Sequence, residues 1–245
     1  MNNLIDYFGV SYFINLPARK DRLQSAKNEF VRVGWTVGSD GVQLYVAQKF
    51  TDRGGFPFLE SRGCFHSHSE CIRNAHLLGK KSVLIMEDDI ALTSAIPKLT
   101  PSIISQLEST PWDFAYFGHE FTGKIKRANS GTTEMKFVPF TNEITTTHFY
   151  AINSRIFARL LEHLDRVAVG REGDQEFGPM PIDGAFNIFR RHNSDVRTLI
   201  ANQKLGWQRP SRSEITPKLF DNSFLLTPIV GFVRKLKATI SRWNS

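Results

Sequence analysis

The sequence predicts an α/β fold whose central sheet is parallel at least through its first half. Two observations carry this. Short apolar runs rich in β-branched and aromatic residues alternate with segments of helical spacing. Polar residues also cluster where those runs end, at the carboxyl edge where such sheets bind ligands.

The elements follow in order. Val10–Leu16 reads as a buried strand broken by Pro17, and the next segment places Leu23, Ala26, Phe30 and Val33 on one helical face closed by Gly34. Trp35–Val37 reads as a second strand running into the turn Gly38–Gly41. Residues 63–79 read as a helix ended by Gly79, and Ser82–Met86 as the next strand. Phe114–Gly118 follows the break at Pro111, and residues 123–140 resemble a hairpin around Asn129 to Gly131. Thr145–Ile152 leads into a helix for which Ser154 is the expected N-cap. Ile182–His192 reads as a short helix and Val196–Ala201 as a last strand.

At 245 residues the chain is long enough for one large domain or two small ones. Its net charge of +7 points to an anionic partner, a nucleotide, a nucleic acid or a membrane surface. No apolar run approaches the roughly 18 to 20 residues that span a bilayer. The opening "MNNLIDYFGV" lacks the basic start and long apolar run of a signal peptide. Cys64 and Cys71 would lie about 10 Å apart along a helix, too far for a disulfide. A reduced, cytoplasmic protein is the expectation.

The sharpest feature is "VLIMEDDIAL", where Glu87, Asp88 and Asp89 end an apolar run. In an extended chain Glu87 and Asp89 face one way and Asp88 the other. Two carboxylates on one side suit a hard divalent ion, Mg²⁺ or Mn²⁺, with open positions for phosphate oxygens. A solvated loop is the other reading of the same residues. "GCFHSHSEC" invites a zinc reading, but Cys64, His66, His68 and Cys71 do not share one helix face, and zinc is not expected there.

"YFINLPARKDR", "SDGV", "GCFHSHSECIRNA", "VLIMEDDIAL", "TTTHFYAINSRIFARLL", "PIDGAF" and "NQKLGWQRPSRSEI" occur in this order over roughly residues 10–216. Together they resemble glycosyltransferase family 25, which includes bacterial lipooligosaccharide galactosyltransferases and collagen galactosyltransferases. The resemblance implies a GT-A type, Rossmann-like nucleotide-sugar domain with a mixed, mostly parallel sheet flanked by helices, set at residues 1–216. It also implies a UDP-sugar donor, galactose favoured, and inverting transfer to a glycan or glycolipid acceptor such as lipopolysaccharide or capsule.

On the same resemblance, Glu87, Asp88 and Asp89 hold Mn²⁺ or Mg²⁺ against the donor diphosphate, Asp89 foremost. Asn15 and Leu16 border the nucleoside, Arg19 and Arg22 reach phosphate or acceptor, and Asp40 accepts from uracil or ribose. Each has a plainer reading: a solvated helix face for the arginines and a turn for Asp40. Ser67 and His68 belong to a helix beside the donor, where a helix start would receive phosphate. His68 equally reads as a hydrogen bond holding that helix to the acidic strand. Asp183 is the candidate base, with N-capping as its alternative, and Glu120 is the fallback. His148 orients a substrate or serves the structure; Gln208 and Ser213 sit in the closing loop.

Residues 217–245 form a basic tail in which Ile229, Phe232, Val233, Leu236, Ile240 and Trp243 recur at helical spacing among four cations. Such a stripe lies on an anionic membrane or covers a protein core. The sequence reading favours peripheral membrane contact. A non-catalytic nucleotide-sugar or glycan-binding protein of the same fold is the alternative function. A nucleic-acid enzyme ranks last, because the positive charge is scattered rather than aligned along a face.

Overall fold

A computed structural model describes residues 3–38, 41–121 and 134–209. In chain order these form α1 (Leu4–Tyr7), β1 (Val10–Asn15), α2 (Lys20–Arg32), β2 (Val42–Val46), α3 (Leu59–Leu77), β3 (Ser82–Glu87) and β4 (Ile90–Leu92). There follow α4 (Ile96–Ser109), β5 (Phe114–Gly118), β6 (Phe137–Pro139), β7 (Phe149–Asn153), a 3₁₀ turn at Ser154–Ile156, α5 (Phe157–Ala168), α6 (Ile182–His192), β8 (Thr198–Ala201) and β9 (Gly206–Gln208).

Seven strands make one sheet in the order β2-β1-β3-β7-β5-β8-β6. The pairs β1–β2, β1–β3 and β5–β8 are parallel. β7 runs against both its neighbours β3 and β5, and β6 runs against β8. Five strands therefore point one way, giving a mixed, mostly parallel sheet with helices on both faces. Both faces are covered, so β1 and β5 are buried along their whole length.

Strand alternation sorts the core into two layers. Tyr12, Val83, Ile85, Tyr116 and Tyr150 pack with residues of α3, α5 and α6. Phe13, Leu84, Met86, Phe117 and Phe149 pack with residues of α1, α2 and α4.

Several expectations are corrected. The second strand lies after the Gly38–Gly41 turn, not before it. Trp35 is buried against Phe30 and Phe149 in the core, and Val37 makes only an isolated bridge to Val42. α3 begins four residues earlier than expected because Ser61 closes its first turn, accepting from Phe58 N at 3.2 Å and donating to Phe58 O at 2.7 Å. Asn153, not Ser154, caps the helix that follows β7, its Oδ1 accepting from Arg155 N at 3.1 Å.

α4 was unanticipated because Pro97 and Pro101 disguise it. Pro97 falls in the first turn, where its missing N–H costs nothing. The hairpin around Asn129 to Gly131, Asp40, Ser213 and the basic tail at 217–245 all lie outside the described residues. Among the described residues no helix is long and apolar enough to cross a membrane.

Candidate functional site

β1 and β3 run parallel with Ile14 opposite Glu87, so the segments that follow both strands leave from one edge of the sheet. Asn15 ends β1 and is buried. Its Nδ2 donates to Asp88 Oδ2 at 2.9 Å and to the Arg19 carbonyl at 3.2 Å. From the first turn of α2, Arg22 Nη1 donates to Asp88 Oδ1 at 2.7 Å and stands 3.7 Å from Asp89 Oδ2. Asp88 is thus held at both oxygens.

Glu87 continues the alternation of Val83 and Ile85 and faces the other layer. Its Oε1 accepts from Thr147 Oγ1 at 2.9 Å and lies 3.4 Å from His68 Nε2. His68, fully buried in α3, has Nδ1 2.8 Å from the Tyr150 hydroxyl and stacks on that ring at 5.7 Å between centroids. Cys64 stands one helical turn before His68. One potential ligand atom each from Cys64, His68 and Glu87 lies within 4.8 Å of the other two.

The alternation expected for the acids holds for Glu87 and Asp88 but not for Asp89. β3 ends at Glu87, and Asp88–Asp89 turn the chain into β4. This turn brings Asp89 toward Arg22, on Asp88's side. A small antiparallel sheet of β4 and β9 secures the turn, with Ile90 opposite Gln208 and Arg209 N donating to the Asp89 carbonyl at 2.7 Å.

Burial dominates the electrostatics. It pushes the Asp89 carboxyl up to about 7, the charge of Glu87 adding to the effect and Arg22 opposing it. Burial also works against ionised Glu87, yet contact with His68, the influence of His148 and the Thr147 hydroxyl hold its carboxyl below the ordinary value. Asp183 is raised by burial, with the Gly184 N–H at 2.9 Å opposing and the charge of Glu87 reinforcing the shift. Burial lifts the Cys64 thiol, helped by the charges of Glu87, Asp183, Asp89 and Asp88. Cys64 therefore feels the charge of all four acids, and Asp89 and Asp183 each feel that of Glu87.

The remaining sequence-predicted residues scatter. Leu16 packs half-buried against the layer of Tyr12 and Tyr150. Arg19 pairs with Asp21 at 2.9 Å on the surface. Ser67 is buried and its hydroxyl donates to the Gly63 carbonyl at 2.7 Å. Because α3 starts at Leu59, Ser67 and His68 stand mid-helix, and the expected phosphate-receiving helix start at these residues is corrected. His148 is buried with Nε2 3.3 Å from the Gly206 carbonyl, and its own carbonyl accepts from Glu87 N at 3.1 Å. Glu120 is exposed and paired with Lys204. Gln208 is exposed on β9. Asp183 is not the N-cap of α6; that position is Pro181.

Sequence reasoning set Cys64 aside together with the four-ligand zinc reading, and it missed Thr147 and Tyr150. The signal for Cys64 was its spacing of four from His68, which puts both on one helix face. Only the ligand from β3, invisible to helix periodicity, completes the group.

The acidic turn suits a hard cation. Asp89 Oδ1 is buried without a hydrogen-bond partner, and Asp88 and Asp89 share Arg22 at this turn. All its donors on that side are carboxylate oxygens.

No protein-family model matches the chain, and none of the curated proteins matches it. Among solved structures, the chain is similar to a glycosyltransferase involved in glycosylation of the major capsid of PBCV-1. That likeness has 11% identity and a TM-score of 0.42, over 78% of this chain and 81% of the other. It is also similar to the apo form of mouse xyloside xylosyltransferase 1, with 9% identity and a TM-score of 0.41, over 76% and 83%. Identity of this order limits the likeness to the chain path.

Proposed function

We propose that this chain is a metal-dependent inverting glycosyltransferase of family 25 type with a GT-A domain. It moves a hexose, galactose favoured, from a UDP-sugar to a hydroxyl of a bacterial surface glycan such as lipopolysaccharide. The ordered motifs over residues 10–216 support the reading. The observation that carries it is the buried acidic turn, where Asp89 keeps an unpartnered oxygen beside Glu87 and Asp88.

Asp89, with Asp88 and Glu87 assisting, would hold Mn²⁺ or Mg²⁺. When bound, such an ion offsets the charge that develops on a departing diphosphate. Arg22 and Asn15 hold the Asp88 carboxylate at both oxygens, so Asp88 would join a cation only by exchanging one of these partners, while the buried Asp89 Oδ1 is open to one. Arg19 and Arg22 are assigned to phosphate or acceptor, a role for which they would exchange their present partners Asp21 and Asp88. Asn15, Leu16, Asp40, Gln208 and Ser213 are assigned to the nucleoside and sugar.

Asp183 takes the proton from the acceptor hydroxyl as that oxygen attacks the sugar carbon. Burial keeps its affinity for a proton above that of an ordinary carboxylate, which favours this role. Glu120 is the weaker choice, since it is exposed and already paired with Lys204. We place the enzyme in the cytoplasm, with the 217–245 tail resting on anionic membrane beside a lipid-linked acceptor.

Release of UDP from a panel of UDP-hexoses, with and without Mn²⁺, tests the proposal. One donor is expected to turn over with Mn²⁺ and to stop with chelator or in Asp89→Ala. A second reading, a non-catalytic nucleotide-sugar or glycan-binding protein, draws on Asp88 being saturated by Asn15 and Arg22 as in a structural ion pair. UDP binding without turnover of any donor would favour it. Neither binding nor turnover would end both readings.

A further inference from the structure

The acidic turn accounts for Asp88 and Asp89 but leaves the other side of Glu87 unexplained. There the side chains are of a different chemistry. Cys64 and His68 come from adjacent turns of α3 and meet Glu87 at the end of β3, with ligand atoms within 4.8 Å of one another. A sulfur, an imidazole nitrogen and one carboxylate are a poor set for Mn²⁺ or Mg²⁺. They suit a borderline-soft ion.

His68 is the independent observation. It is completely buried, and its Nε2 makes no hydrogen bond of good geometry, its nearest polar neighbour being Glu87 Oε1 at 3.4 Å. The ring cannot turn to find one, because it is stacked on Tyr150 and anchored through Nδ1 to the Tyr150 hydroxyl at 2.8 Å. A buried histidine fixed by one nitrogen and presenting the other to further ligand groups is how metal-binding imidazoles are held. In the tautomer that carries its proton on Nδ1 and donates it to the Tyr150 oxygen, the Nε2 lone pair faces Glu87 and Cys64, the state in which an ion would be taken up. Glu87 is fixed in the same way, its Oε1 bonded by the Thr147 hydroxyl at 2.9 Å.

Charge points the same way. His68 stands by Glu87 and acts on Asp183, and the thiol of Cys64 feels both of these acids and the acidic turn. Cys64 is only partly covered.

We propose that Cys64 Sγ, His68 Nε2 and Glu87 form a binding site for a borderline-soft divalent ion of the Zn²⁺ class, adjacent to the oxygen site at Asp89 and sharing Glu87 with it. Binding converts the thiol to a thiolate: the S–H bond breaks, an S–metal bond forms, and one proton passes to solvent. The ligand atoms close from their present separations by small rotations of Cys64 and Glu87 to bond lengths of about 2.0 to 2.3 Å. Three protein ligands leave the fourth position of a tetrahedral ion open. The proposal goes beyond the transferase reading and does not depend on it.

Cobalt is the probe, since Co²⁺ bound to a thiolate shows a sulfur-to-metal charge-transfer band in the near ultraviolet. The full-length protein with equimolar Co²⁺ is expected to show that band and to lose it on adding equimolar Zn²⁺. Cys64→Ser is expected to abolish the band, Cys71→Ser to leave it, and Asp89→Asn to leave it. Calorimetric Zn²⁺ titration of the wild-type protein in two buffers of different ionisation enthalpy is expected to report release of about one proton. Absence of the band in the wild-type protein overturns the proposal without any variant having to fold. Persistence of the band in Cys64→Ser overturns it as well. Loss of donor turnover in Asp89→Asn with the cobalt band intact separates this site from the transferase site.

Discussion

Arg22 and Asp88 meet at 2.7 Å although 66 residues separate them, joining the first turn of α2 to the end of β3. Both side chains are nearly covered, at 15% and 10% exposure, so water screens the pair little. Removing one partner leaves a charge in a place built for two. Arg22→Met is expected to destabilise the protein by about 3 to 5 kcal/mol. Adding Asp88→Asn should recover much of that loss, as read by chemical denaturation of the four members of the cycle. Additive losses would show that the pair contributes nothing.

Asp89 and Asp183 are assigned different steps and should fail differently. Asp89→Asn is expected to weaken Mn²⁺-dependent UDP binding and to cut turnover by at least about 100-fold. Asp183→Asn should cut turnover by about 100-fold while UDP affinity stays within about threefold. Glu120→Gln should change neither by more than about threefold. Steady-state kinetics alongside calorimetric UDP titration checks all three; full activity in Asp183→Asn would remove it as the base.

His119 gives a pH dependence of stability. Burial, with Lys204 and His148 adding to it and Glu120 opposing, brings its imidazole down to about 4 from an ordinary 6.5. The folded state therefore keeps the ring neutral where the unfolded chain would protonate it. The stability this contributes is complete above about 6.5 and is lost as the pH falls through about 4. The loss by pH 4 is about 2 to 3 kcal/mol. His119→Phe should flatten the fall of the melting temperature over that window, and an unchanged profile would dismiss His119 as its cause.

Gly118 ends β5 where the backbone runs against the His148 ring and the Gly206 carbonyl. A Cβ there would overlap His148 Nε2 and Cδ2 and lie 2.5 Å from the Gly206 oxygen. Gly118→Ala is expected to cost about 3 kcal/mol. Since His148 O bonds Glu87 N, the same change should also lower UDP affinity, which a denaturation curve and a binding isotherm together would show.

The parallel half of the sheet was legible because its strands are continuous apolar runs, and the helices because Gly34 and Gly79 stop them with φ of +76° and +61°. The acidic triplet was legible because three charges at the end of a strand like Val83–Met86 need an explanation. Its geometry was not. Where β3 stops and a turn begins is set by β9 pairing with β4, more than 110 residues downstream, and no local pattern records that. Trp35 reads as strand from its neighbours, yet burial against Phe30 and Phe149 decides its place. The role of Cys64 depends on a partner in another element, and Ser67 looked available until the helix around it was seen to absorb its hydroxyl.

The antiparallel insertion of β7 between β3 and β5 has a consequence for synthesis. When a ribosome has released β1 to β3, Ser82–Glu87 has one neighbour and an open hydrogen-bonding edge carrying Val, Leu, Ile and Met. That edge stays unsatisfied until Phe149–Asn153 emerges, an invitation to pair with another nascent copy. Chains truncated before residue 149 should therefore aggregate and engage chaperones, whereas chains extending past β7 should not.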